Sequence, residues 1–76
     1  MELNDWIDSL APRAASKVAA EQLKEKRRTV DSWRLFQNPP SFRAAVNITR
    51  VSRGQVDFNG IYAPYQRALE AEHGHD

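Results

Sequence analysis

The side chains of this 76-residue chain best equipped for chemistry are cations. Lys26, Arg27 and Arg28 are consecutive, with Lys17 and Lys24 before them and Arg34 and Arg43 after. Ammonium and guanidinium groups neutralise phosphate, and the guanidinium fork can also make a two-point contact with the edge of guanine. Groups that make or break bonds are scarce by comparison. There is no cysteine, hence no disulfide framework, thiolate zinc site or thiol nucleophile. Both histidines, His73 and His75, lie in the terminal EHGHD. Closely spaced imidazoles could bind a metal weakly there, but a polar, mobile terminus is the better reading. No Gly-rich phosphate loop, HExxH or G-x-S-x-G is present. The acids are scattered, with no pair spaced for acid–base work. The expectation is a protein that is not an enzyme, with no metal, cofactor or small-molecule ligand.

Net charge alone hides the cations, because 11 Lys+Arg face 10 Asp+Glu for a formal +1. Their distribution is more telling. Residues 1–11 hold three acids and no base, a net of −3. Residues 12–53 hold ten bases against three acids, a net of +7. Residues 54–76 hold one base against four acids, again −3. A basic middle between acidic ends points to a polyanionic partner.

A chain this short forms one small domain, expected over 1–72 with a flexible tail at 73–76. It buries only about 60% of its unfolded surface, so association with a second copy would help it. The hydrophobic fraction of 41% suffices for a folded core. The acidic start lacks the apolar region of a signal peptide. No apolar run approaches the ~20 residues that span a bilayer. Absence of cysteine suits a reducing cytoplasm.

Periodicity supplies the elements that must position the cations. In ELNDWIDSL, Leu3, Trp6, Ile7 and Leu10 fall at i, i+3, i+4 and i+7, one apolar helical face that Pro12 ends. Residues 13–23 are rich in good helix formers, with Val18, Ala19, Gln22 and Leu23 as a weaker stripe. Ala15, Ala19 and Ala20 would let another helix approach closely. Residues 27–37 resume a helical pattern around Val30 and Trp33 until Asn38-Pro39-Pro40 stops it. Ser41 is placed as the N-cap of a fourth helix that Gly54 closes at C′, with Phe42, Ala45, Val46 and Thr49 on one face and Ile48 beside it. Residues 55–63 stay open between a short strand and a helical turn capped by Asp57. Residues 64–72 read as a last short helix with Pro64 at its first position. The reading is thus all-α, four to five short helices with an irregular or β-like segment near the C-terminus.

Ala20, Val30 and Trp33 carry a more specific pattern. A helix-turn-helix needs a small residue where its first helix touches the second, a turn of about three residues, and two apolar anchors on the second helix. Ala20 is small, Lys24-Glu25-Lys26 would be the turn, and Val30 and Trp33 follow Ala20 by ten and thirteen residues. This spacing resembles the helix-turn-helix of phage repressors and Cro proteins. The stretch TVDSWRLFQNPPSFRAAVNITRVSRGQVDFNGIYAPY is similar to the second half of small phage Cro proteins. There, V-x-x-W precedes a proline-containing loop, a helix ending near glycine, and a short aromatic-bearing element. DWIDSL likewise resembles their first helix, so the likeness spans about residues 5 to 65. It departs at the turn, where the usual glycine is Lys24 and the usual aliphatic residue is Glu25. A left-handed lysine would cost about a kilocalorie more than glycine. Two outcomes are therefore expected: a turn of another geometry, or no such motif.

The resemblance implies a λ-repressor/Cro-like DNA-binding regulator of a phage or prophage, acting in the bacterial cytoplasm. It would bind double-stranded operator DNA through the helix near residues 27–37, as a homodimer at least on DNA. Arg27, Arg28, Asp31 and Ser32 fall at base-reading positions, Lys26 opens the helix, and Arg34 lies further along it. Arg28 could contact guanine and Asp31 could accept from cytosine N4. Asp31 could equally pair with Arg28 or Arg34 to hold an arginine in place. Lys17 and Arg43, near the starts of the flanking helices, would contact phosphate. Arg50 and Arg53 are read as capping helix carbonyls. Phe58, Ile61, Tyr62 and Tyr65 supply core packing and, in part, a homodimer seam. A rival of another class is a small phage-encoded interaction or inhibitor protein that uses the basic face without DNA. An RNA-binding helix bundle is weaker, because the aromatics do not interleave with the cations.

Overall fold

The computed structural model describes residues 1–73 and builds them from five helices: α1 (Leu3–Leu10), α2 (Ala15–Leu23), α3 (Arg27–Arg34), α4 (Phe42–Val51) and α5 (Phe58–His73). No strand occurs among the described residues. The expected tail falls outside them except for His73, which ends α5.

Helix α2 is the hub, packed against α1, α3 and α4, while α5 lies against α4. Small side chains make this possible: Ala19 and Ala20 on α2 and Ala44 and Ala45 on α4 are all buried. Larger residues fill the spaces around them. Leu3, Trp6 and Ile7 come from α1, Leu23 from α2, Val30 and Trp33 from α3, and Ile48 from α4. Helix α1 buries the face that periodicity defined and α3 its two anchors, so hydrophobic burial sets their rotation. Helix α2 instead buries Ser16 and Ala20, while Gln22 of its expected stripe is exposed. Helix α4 buries Ala44, Ala45 and Ile48, while Phe42 and Val46 of its expected face are exposed. Ser41 caps α4 as expected, its Oγ accepting from the Ala44 amide at 3.2 Å.

Helices end here without glycine. Lys24 (φ 57°), Phe36 (φ 58°) and Arg53 (φ 57°) are left-handed residues that close α2, α3 and α4. Each end shows the same pair of backbone bonds, Glu25 to Ala20 and Lys24 to Glu21 at the first. Gln37 to Ser32 with Phe36 to Trp33, and Gly54 to Thr49 with Arg53 to Arg50, repeat it. This is the Schellman arrangement, which satisfies carbonyls a helix end otherwise leaves unpaired. The left-handed C′ position of α4 thus belongs to Arg53, and Gly54 (φ 78°) follows it. The same device stops α3 at Arg34, three residues before the expected end. Ala14 (φ 55°) is left-handed as well and delays α2 to Ala15.

Of the segment 55–63, residues 58–63 are helix, 55–57 form the turn before it, and none is strand. Ser52, itself buried, accepts the Val56 amide at 3.1 Å and turns the chain out of α4. Val56 drops into the core, and Asp57 Oδ1 accepts the Gly60 amide at 2.8 Å. Asp57 therefore caps 16 residues of α5, not a single turn. Pro64 sits inside that helix and not at its first position. An interior proline removes one hydrogen bond and crowds the carbonyl four residues back. Here that residue is Gly60, and the ring is buried beside Leu3, Trp33 and Ile61, which offsets the loss. Gly60 has its own reason to be glycine: a Cβ there would lie 2.3 Å from the Met1 carbonyl oxygen.

Candidate nucleic-acid interface

Helices α2 and α3 form a helix-turn-helix joined by Lys24, Glu25 and Lys26. Neither expected outcome for the turn holds. Lys24 keeps the left-handed conformation (φ 57°, ψ 42°) that glycine usually takes, and Glu25 N–H reaches back to the Ala20 carbonyl at 2.9 Å. The turn geometry thus survives the loss of glycine, at an intrinsic cost of about 1–2 kcal/mol.

Val30 and Trp33 point one face of α3 into the core, which turns the other outward. Lys26, at the N-cap position, and Arg27 and Arg28, in the first turn, are all exposed. Arg28 and Ser32, one helical turn apart, line a surface depression with Asn38 and Ser41. The Asn38 amide donates to Ser32 Oγ at 3.0 Å, which leaves the hydroxyl proton available to a ligand. Asn38 was not a sequence candidate. Only its place between two prolines and a helix end marked it, and that reads as loop.

Asp31 resolves differently from either partner considered for it. Its carboxylate lies 3.8 Å from Arg27 Nε, with both side chains largely exposed. An exposed i, i+4 pair of this kind is weak and easily exchanged for another partner. Among the described residues Arg28 has no ion-pair partner at all.

Arg34 leaves the candidate set. Its guanidinium donates to Ser16 Oγ at 2.8 Å and pairs with Asp8, so it ties α3 to α1 and α2. Geometry, not charge, decides this: Arg34 is next to the buried anchor Trp33 and faces the acidic α1. Lys17 is exposed in the first turn of α2, and Arg43 is exposed in the first turn of α4.

Arg43 stands in a second depression, with Lys24, Asn47 and Arg50. Asn47 Nδ2 donates to the Leu23 carbonyl at 3.0 Å, and Arg50 donates to Asn47 Oδ1 at 2.5 Å. Arg50 therefore bonds a side chain and does not cap α4, where Arg53 takes the left-handed position. A signal for this site was present, because residues 43, 47 and 50 form one helical stripe.

The four candidates for the seam, three aromatic and one aliphatic, divide. Ile61 is fully buried and presents no surface to a second copy. Tyr65 donates to the Trp33 carbonyl at 2.6 Å, lies 3.1 Å from the Asn38 carbonyl, and meets Phe36 edge-on at 5.1 Å. Burial, with the neighbouring Tyr62, pushes its phenol up to about 12. Tyr62 donates to the Pro40 carbonyl at 2.8 Å. Phe58 is 40% exposed and Phe42, which it meets edge-on at 5.5 Å, is 71% exposed. Phe42, Phe58 and Tyr62 make a continuous aromatic cluster that is open to solvent.

Among the described residues, no three His, Asp or Glu side chains gather as a metal site, and no helix is long and apolar enough to cross a membrane. No family model, curated protein or solved structure matches the chain.

Proposed function

We propose that this protein is a sequence-specific, DNA-binding transcriptional regulator of the Cro-like phage or prophage kind, acting in the bacterial cytoplasm without catalysis. One observation carries the reading. The helix that follows the turn begins with three exposed cations and sets Arg28 and Ser32 on the face opposite its two buried anchors. A helix of that composition fits the major groove, where arginine reads guanine O6 and N7 and its neighbours hold phosphate. Docking α3 there brings the exposed first turns of α2 and α4, with Lys17 and Arg43, toward the flanking backbone.

A second copy would join through the open aromatic cluster of Phe42, Phe58 and Tyr62, and two copies would match a two-fold operator. The deciding experiment is an electrophoretic shift with the DNA upstream of the protein's own gene, at low salt. A specific shift is expected, weakened by Arg28→Ala. A folded chain that shifts no duplex in preference to a scrambled one overturns the reading. In that event the rival, a protein-binding role for the basic face, becomes the better account.

A further inference from the structure

The depression beside α4 has no place in base reading, yet it is built from cations. Among the described residues Lys24, Arg43 and Arg50 have no ion-pair partner, and Glu25 is the single acid that lines it. Its geometry is also ordered. Asn47 must present its amide to the Leu23 carbonyl, one of those that α2 leaves unpaired at its end. That fixes the carboxamide so that Oδ1 faces Arg50 and accepts from it. The guanidinium is held by one of its five donors while the others stay free. This depression and the one beside α3 share Glu25, Ser41 and Ala44, so they form one trough around the first turn of α4.

We propose that Arg50, oriented by Asn47, is a phosphate-binding residue that holds, with Lys24 and Arg43, the sugar–phosphate strand of duplex DNA flanking the base pairs read by α3. The inference rests on the DNA-binding reading above. Phosphate is the fitting ligand because Lys24, Arg43 and Arg50 bring three positive donors to one depression that a single acid lines. A contact of this kind adds affinity without sequence preference.

The test is titration of the full chain with specific and scrambled duplexes at several salt concentrations. Each phosphate contact contributes about −0.9 to the slope of log affinity against log salt. Arg50→Gln should therefore reduce the slope by about 0.9. Between 50 and 200 mM salt it should lose about 3.5-fold less affinity than the parent chain. It should also weaken both duplexes by the same factor, while Arg50→Lys keeps the parent slope. Arg50 is exposed, so an unchanged melting temperature shows that the loss is not unfolding. A parent slope in Arg50→Gln, or a changed ratio between the duplexes, overturns this proposal. If Arg28→Ala still lowers the preference for the specific duplex, the DNA reading stands without it. If the parent chain binds no duplex, both fall.

Discussion

At the residue scale Arg28 matters for where it lies: on the outward face of α3, with no ion-pair partner among the described residues. Arg27 has Asp31, Arg34 has Asp8 and Arg67 has Glu2, whereas Arg28 faces solvent at the mouth of a depression. A bidentate contact to guanine is worth about 1–3 kcal/mol of discrimination. Arg28→Ala is thus expected to weaken operator binding by that amount and to relax preference at one base pair, read by titrating single-base variants of the operator. The left-handed residues argue a different point. Sequence made Lys24 look like a reason to doubt the turn, because the local penalty is legible and the tertiary compensation is not. Once Ala20 is packed against α3 and Leu23 is buried, the chain has one way to reach Val30, and Lys24 yields. Ala14 offers the clean test of that penalty, since it is exposed, left-handed and without a side-chain cap. Ala14→Gly should stabilise the protein by about 1 kcal/mol. For a domain of this size that is roughly 4–8 °C in thermal midpoint, measured by circular dichroism. A lower midpoint would show that the strain lies elsewhere.

At the scale of elements, α3 owes its placement to α1, α2 and α5. Arg34 fixes one flank through Asp8 and Ser16, and Tyr65 fixes the other by bonding the Trp33 carbonyl. The core-facing stripe of α1 and the two anchors of α3 were legible because hydrophobic burial imposes the helical period. The stripes of α2 and α4 came out rotated, since the alanines they bury mark a face only weakly. The ends of α3 and the continuity of α5 were not. A Schellman closure at Phe36 breaks the rule that glycine marks such sites, and Pro64 persists inside α5 only because its ring has a buried place to go. Likewise the role of Arg34 depends on which way α1 packs, which no local pattern states. Tyr65 makes the anchoring testable by pH. Its phenol titrates near 10.0 in the unfolded chain and at about 12 in the fold. Between those values the folded protein holds a proton that the unfolded chain has released, so stability falls as pH rises from about 10 to 12. Tyr65→Phe should remove that part of the alkaline loss. At neutral pH it should cost about 1 kcal/mol for the missing hydrogen bond. Urea titrations of both proteins at pH 8 and pH 11 measure this. Equal alkaline losses in the two would refute the assignment.

At the scale of the molecule, charge and apolar surface together define how the domain meets a partner. The acidic ends are partly engaged inside the fold: Asp8 binds Arg34 and Glu2 binds Arg67. Among the described residues the unpaired cations include Lys26 and Arg28 at the start of α3 and Lys24, Arg43 and Arg50 at the depression beside α4, so a chain of formal charge +1 still carries a local cluster of positive side chains. Phe42 and Phe58 remain, and their exposure is hard to explain for an isolated domain with so small a core. Large exposed aromatics that pack edge-on against each other are the surface that the proposed second copy would cover. Two copies joined there would place two recognition helices for half-sites about one helical turn apart. Phe42→Ser tests this without disturbing the core, because Phe42 is 71% exposed and opens α4 beside a capping serine. The variant is expected to fold with an unchanged far-ultraviolet spectrum, and to run as a monomer in light scattering at concentrations where the parent is dimeric. It should lose affinity for a two-half-site operator while binding a single half-site as well as the parent does. That contrast separates a seam from a DNA contact, since a residue touching DNA would weaken both duplexes alike. A parent chain that stays monomeric on a two-half-site duplex would instead assign the aromatic cluster to a different protein partner.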